Sequence, residues 1–212
     1  MFNISNKIQL KLDEYGCKYK ILNQNEIFDA WKVCFTSENY INSIIKLWRE
    51  TVPELSDFID ILSNNLVDAC PINIFNKHAI VYLVNIKNEE YIYIGFAPKH
   101  ISEDHISPQC DKIQTLLHDG FFFFPGFSCG PLSSEQCLSL NSYEWEYLEE
   151  NFENYPFGIN LCDYKIILSN AGGVYMVCNK EGKTLVWYND EEPDAAEFWP
   201  ELNEFMIIGM TN

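Results

Sequence analysis

The chain is predicted to be one α+β domain, with largely antiparallel strands, packed helices and a C-terminal β-meander. Three observations predict it. Ile41, Ile44, Ile45, Trp48, Val52, Leu55, Ile59, Leu62 and Leu66 recur at helical spacing and give one apolar face. Two apolar runs, Ala79 to Ile86 and Tyr91 to Phe96, flank Lys87-Asn88-Glu89-Glu90 and read as a β-hairpin. Three short strands, Tyr164 to Ser169, Val174 to Cys178 and Thr184 to Tyr188, follow one another across Asn170-Ala171-Gly172-Gly173 and Lys180-Glu181-Gly182-Lys183, where glycine suits tight turns.

Taken in order, Ile8, Leu10 and Leu12 alternate with polar residues, as do Tyr19 and Ile21, and predict short strands about a turn at Tyr15-Gly16. The helical stripe from Tyr40 meets Pro53, whose missing N–H and bulky ring oppose an unbroken helix by ~3 kcal/mol. Thr51 with Glu54 resembles a capping box and allows a second helix to start there. One-sided apolar helices pack inward, although the same stripe also suits a partner groove. After the hairpin comes a polar loop, Pro98 to Pro108, then a short helix from Cys110 to Leu117, ended by Asp119-Gly120.

Phe121 to Phe124 cannot all face one side of a strand, because successive side chains alternate faces, so the run predicts a strand covered on both sides or one with an exposed face. Ser133 to Leu140 reads as another short turn of helix. Asn141 with Glu144 opens a further helix, with Trp145, Leu148 and Phe152 inward and Glu146, Glu149, Glu150 and Glu153 outward. Beyond the meander lie Asp190, Glu191, Glu192 and Asp194, then Phe198, Trp199 and Phe205. No linker, repeat or composition break divides residues 1–212, which are taken as a single domain.

The 212 residues are 47% apolar and 15% aromatic, enough for a substantial core and unlike a disordered chain. There is no apolar run long enough for a membrane span and no basic-then-apolar leader, so a cytoplasmic protein is expected. Eight cysteines without a Cys-x-x-Cys pair then read as reduced thiols, and Cys129 and Cys137, the nearest two, have no histidine between them, so no zinc site is expected.

The net charge is −17, and the segment from Leu132 onward carries 15 acidic against 3 basic residues. Such a field repels nucleic acid and anionic membrane and speeds encounter with a basic partner, though acidic surfaces also serve solubility alone. With Arg49 the only arginine, guanidinium forks for phosphate are nearly absent.

Acid–base chemistry is limited to four histidines. His100 and His105, with Glu103 or Asp104, have metal-capable ligand types, but a polar loop more simply solvates them. His118-Asp119 sits at a helix end, where a packed or dipole-facing histidine is the expectation; catalysis would need Asp119 to aim the imidazole at a nucleophile such as Cys129. Carboxylate pairs such as Glu149-Glu150 and Glu191-Glu192 lie in hydrophilic runs, unlike the buried, unequal pairs of glycosidases. No catalytic residue, metal or cofactor is therefore assigned.

His118-Asp119-Gly120-Phe121, Gly130-Pro131-Leu132, the meander ending Val186-Trp187-Tyr188, and Phe198-Trp199-Pro200 with Phe205 to Gly209 together resemble the SMI1/KNR4 family of the SUKH superfamily. The resemblance lies in the order and spacing of these motifs and covers about residues 110–210, leaving 1–100 as a divergent N-terminal elaboration. It implies a mixed sheet with packed helices. For bacterial members it implies an immunity protein that neutralises a cognate polymorphic toxin, often a nuclease; fungal relatives are regulatory scaffolds, which keeps an adaptor role open. The family supplies no catalytic residues. Charge independently marks two surfaces for a basic toxin: Glu146, Glu149, Glu150 and Glu153, and Asp190, Glu191, Glu192 and Asp194. A hydrolase using Cys129 or His118 is the remaining alternative.

Overall fold

The computed structural model describes residues 5–99, 105–126, 130–140, 142, 160–170, 172–188 and 193–211. Within them the fold is α+β, with two sheets in which every strand pairing is antiparallel. The larger has the order β1(Tyr19–Ile21), β2(Leu66–Ile74), β3(Lys77–Ile86), β4(Glu89–Phe96), β5(Phe121–Phe124). The smaller has the order β6(Tyr164–Ser169), β7(Val174–Asn179), β8(Thr184–Tyr188), β9(Asp194–Ala196). The meander strands fall within one residue of their predicted bounds. β9, which continues them, was not predicted and begins at Asp194, the last residue of the acidic stretch.

The N-terminal segment corrects its prediction: Asn6–Glu14 is a helix, α1, not a strand. The Ser5 side chain caps it by accepting from the Ile8 N–H at 3.3 Å. Ile8 and Leu12, four apart, are buried, while the intervening Leu10 is 67% exposed. The apparent alternation was thus an i,i+4 pair with one solvent-facing leucine between. Tyr19 and Ile21 do form a strand, β1.

Helices α2(Asp29–Phe35), α3(Tyr40–Thr51) and α4(Ser56–Asn65) follow, with a 3₁₀ turn, Pro53–Leu55, between the last two. Pro53 ends α3 as expected. The capping box is not formed: Val52 holds the cap position and no side chain bonds there. Ile44, Ile45, Trp48, Phe58, Ile59 and Leu62 turn inward, so the helical stripe is core.

β2 was not anticipated, because Asp68, Pro71 and Asn73 break a strand-like pattern. Pro71 is tolerated because its carbonyl, bonded to the Leu22 N–H at 3.1 Å, faces the β1 side, and its missing N–H faces the same way, sparing the ladder to β3. Phe75-Asn76 and Lys87-Asn88 close the β2–β3 and β3–β4 hairpins with both residues at positive φ, as two-residue turns suited to strand twist require.

The larger sheet is covered on both faces. Ala79, Val81 and Leu83 pack with Ile8 and Leu12 of α1, while Ile80, Tyr82 and Val84 face the main core under α2 to α4. The phenylalanine run divides the same way: Phe122 and Phe124 join the α1 side, Phe121 and Phe123 the other. Of the two arrangements that alternation allowed, this is the strand covered on both faces.

α5(Pro108–Leu116) starts at Ser107, whose hydroxyl accepts from the Cys110 N–H at 3.1 Å. Residues 130–140 then link the sheets: the Phe121 N–H bonds the Pro131 carbonyl, and the Leu132 N–H bonds the Ile167 carbonyl. Gly130 permits this, since a Cβ there would lie 2.0 Å from the Phe121 carbonyl oxygen. Ser133 to Leu140 forms hydrogen-bonded turns rather than helix, with the Gln136 and Cys137 N–H groups both on the Ser133 carbonyl. The helix predicted from Asn141, apart from Ser142, lies outside the described residues. The chain closes with α6(Phe198–Thr211), whose Phe198, Leu202, Met206 and Met210 enter the same core as Leu168, Met176 and Val186.

Candidate functional site

Two of the groups that offered chemistry in the sequence, His118 and Asp119, are occupied in the fold. His118 is fully buried against Trp31, Trp48, Tyr82 and Phe121. Its Nδ1 lies 3.0 Å from the Phe96 carbonyl, which only accepts, so Nδ1 carries the proton. Nε2 then accepts from the Tyr82 hydroxyl at 2.6 Å, and that oxygen accepts from Trp48 Nε1–H at 3.1 Å. Burial pushes the imidazole pKa down to about 3, only partly offset by the Phe96 bond. Asp119 does not orient this ring: its carboxylate accepts from the Ser134 N–H at 2.7 Å and the Ser134 hydroxyl at 3.0 Å.

His105 Nδ1 pairs with Asp111 Oδ2 at 2.7 Å, while His100, Glu103, Asp104 and Cys129 lie outside the described residues. Cys110 and Cys178 meet at 3.5 Å between sulfurs as free thiols, and burial pushes the nearby Cys137 thiol up to about 12. Among the described residues no three His, Cys, Asp or Glu groups are arranged to hold a metal ion.

The acidic residues proposed to bind a partner are placed only in part. Of the eight predicted partner-binding residues, Glu146, Glu149, Glu150, Glu153, Asp190, Glu191 and Glu192 lie outside the described residues. Asp194 is exposed and begins β9, opposite Val186, on the outer strand of the smaller sheet. An acidic residue on a sheet edge discourages further strand pairing. Glu201 and Glu204 share one side of α6, and Glu197 immediately precedes the helix, its carbonyl accepting from the Glu201 N–H at 3.2 Å. Burial, and then the Glu204 charge, holds the half-buried Glu201 carboxyl above the usual carboxylate range.

Asn203, on another side of α6, holds a further acid beside the helix. Its Oδ1 accepts from the Phe58 N–H at 3.0 Å and its Nδ2 donates to Asp57 Oδ2 at 3.4 Å, which seats the start of α4 beside α6. Eight of the fourteen basic side chains are ion-paired elsewhere: Lys7, Lys11, Lys20, Lys32, Lys46, Arg49, Lys77 and Lys112. Lys112 lies 5.2 Å over the Trp199 ring of α6, but its ammonium is bonded to Glu54. Among the described residues, none of Asp57, Asp194, Glu197, Glu201 and Glu204 has a basic side chain at ion-pair distance. The spacing of Glu197, Glu201 and Glu204 was readable in the sequence once a helix was placed there; the approach of Asp57 was not.

Among the described residues no helix is long and apolar enough to cross a membrane. No family model, curated protein or solved structure matches the chain.

Proposed function

We propose that this chain is a non-catalytic immunity protein that binds a cognate basic toxin, of the nuclease class, and neutralises it stoichiometrically in the cytoplasm. This is the role implied by its resemblance to bacterial SMI1/KNR4 proteins. The observation that carries the reading is the acidic side at the start of α6, Glu201 and Glu204 with Glu197 and Asp194 just before them in the chain, none of which has a basic partner among the described residues. Like charges one helical turn apart oppose folding by ~0.2–0.5 kcal/mol per pair, and a partner's lysines or arginines relieve that repulsion on binding. The same field steers a basic domain toward the face and repels the nucleic acid such a toxin would act on. The structural use of His118 and Asp119 supports a binding role over a hydrolytic one.

The test takes a candidate toxin domain from a neighbouring gene, whose absence would itself favour the adaptor role. One equivalent of the chain is expected to abolish its activity and restore growth. The combined variant Asp194→Lys, Glu201→Lys, Glu204→Lys is expected to associate roughly tenfold more slowly at low salt, with a flattened salt dependence. Association unchanged at low and high salt removes this face from the interface, and binding without loss of toxin activity replaces neutralisation with recruitment.

A further inference from the structure

The acidic side of α6 runs into an apolar groove. Tyr91 and Tyr93 of β4, Phe123 of β5 and Leu168 of β6 face Phe205 and Ile208 of the helix across a space of about 450 Å³. That volume lies within the ~300–1,000 Å³ of sites that enclose organic groups. The groove is preformed: Phe123 meets Tyr91 and Tyr93 edge-on at 5.9 and 5.6 Å, and the Tyr93 hydroxyl donates to the Gly209 carbonyl at 3.0 Å, tying the aromatic wall to the helix.

Glu201, Glu204 and Ile208 are spaced three and four apart on α6, so they form one stripe about 10 Å long, with Glu197 just before its acidic end. Ile208, at the mouth of the groove, is 45% exposed. The stripe therefore passes from acidic to apolar along the helix. Lys87, the charged residue of the groove's rim, donates to the Thr211 carbonyl at 2.9 Å. Its charge directs a partner's cations away from the groove and toward the acidic end.

We propose that this groove is the anchoring pocket of the partner surface. It takes an aromatic or aliphatic side chain from a basic protein segment whose lysines or arginines lie along Glu197, Glu201 and Glu204. The proposal rests on the reading of the chain as a binder of a basic partner and adds a division of labour. Exposed acids set the rate of encounter, and a desolvated anchor in a pocket sets the rate of escape.

Two fluorescein-labelled peptides test it by anisotropy: hexalysine, and hexalysine extended by Gly-Gly-Trp-Leu. The extended peptide is expected to bind about tenfold or more tighter, as burial of one large apolar side chain permits. Ile208→Ser, at an exposed position where folding is little affected, and Phe205→Ala should each remove that gain while leaving hexalysine binding intact. Glu201→Lys with Glu204→Lys should weaken both peptides. Equal affinity of the two peptides for the wild-type chain, or a gain that survives both groove variants, overturns the proposal. If the gain behaves as expected but the neighbouring toxin domain does not bind, the groove stands and the toxin reading falls. If the toxin domain binds and Ile208→Ser leaves its dissociation rate unchanged, the groove falls and the toxin reading stands.

Discussion

Lowering the pH from 7.5 to 5.0 should destabilise the chain through His118. In the fold its imidazole is enclosed by aromatic rings, with one nitrogen on a carbonyl and the other on a hydroxyl, and burial holds its pKa at about 3 against 6.5 in the open chain. Between those values the unfolded chain takes up a proton that the folded chain refuses, so stability is full above about pH 7 and falls as pH drops through 6.5. From the two pKa values the loss between pH 7.5 and 5.0 is ~2 kcal/mol, with a slope near ~1.3 kcal/mol per pH unit at the lower end. A chain of net charge −17 also loses self-repulsion as its carboxylates titrate, which acts in the opposite direction. The measurement is therefore a difference. Urea unfolding of the wild type and of His118→Gln at both pH values should show the wild type losing ~2 kcal/mol more than the variant. Should the variant not fold, the His118 ring signals in the wild-type NMR spectrum should stay unmoved down to pH 5. Equal losses in the two proteins, or a ring that titrates near 6.5, refutes the reasoning.

Two further outcomes follow from the same cluster. Tyr82→Phe leaves both Trp48 Nε1–H and His118 Nε2 buried without their partner, and urea denaturation should register a loss of about 2–5 kcal/mol. Gly95→Ala places a Cβ 2.6 Å from the His118 ring, which its two hydrogen bonds prevent from turning aside. The resulting strain of ~1–3 kcal/mol should lower Tm by roughly 2–12 °C in a thermal melt, and an unchanged Tm would mean that the ring is not held as described.

The legible parts of the fold were those where local chemistry and burial ask for the same thing. The β3–β4 hairpin and the meander were readable because each apolar run ends at a turn built from local residues. Asn170 Oδ1 accepts from the Gly172 and Val174 N–H groups, and Asn179 Oδ1 from those of Glu181 and Lys183. Period misled where a short segment fits two templates, as in α1, whose Ile8, Leu10 and Leu12 satisfy both alternation and an i,i+4 pair. β2 was hidden for the converse reason: Pro71 looks forbidden in a strand until β1 is seen to end beside it.

Local pattern alone was enough for the class of the protein: an α+β chain with a C-terminal meander, a strong acidic excess concentrated after Leu132, and a four-phenylalanine strand that could not bury all its rings on one face. Tertiary structure decided what particular charged and polar groups do. It buried His118 in a hydrogen-bonded core cluster, turned Asp119 onto Ser134, seated Asp57 beside α6 through Asn203, and set an apolar groove at the end of an acidic stripe. Turns, caps and periodicity act over a few residues and leave a local trace in the chain. Which side chains are desolvated together, and which acids are left without a cation, depends on residues as far apart as Asp57 and Asn203, and no local pattern records that.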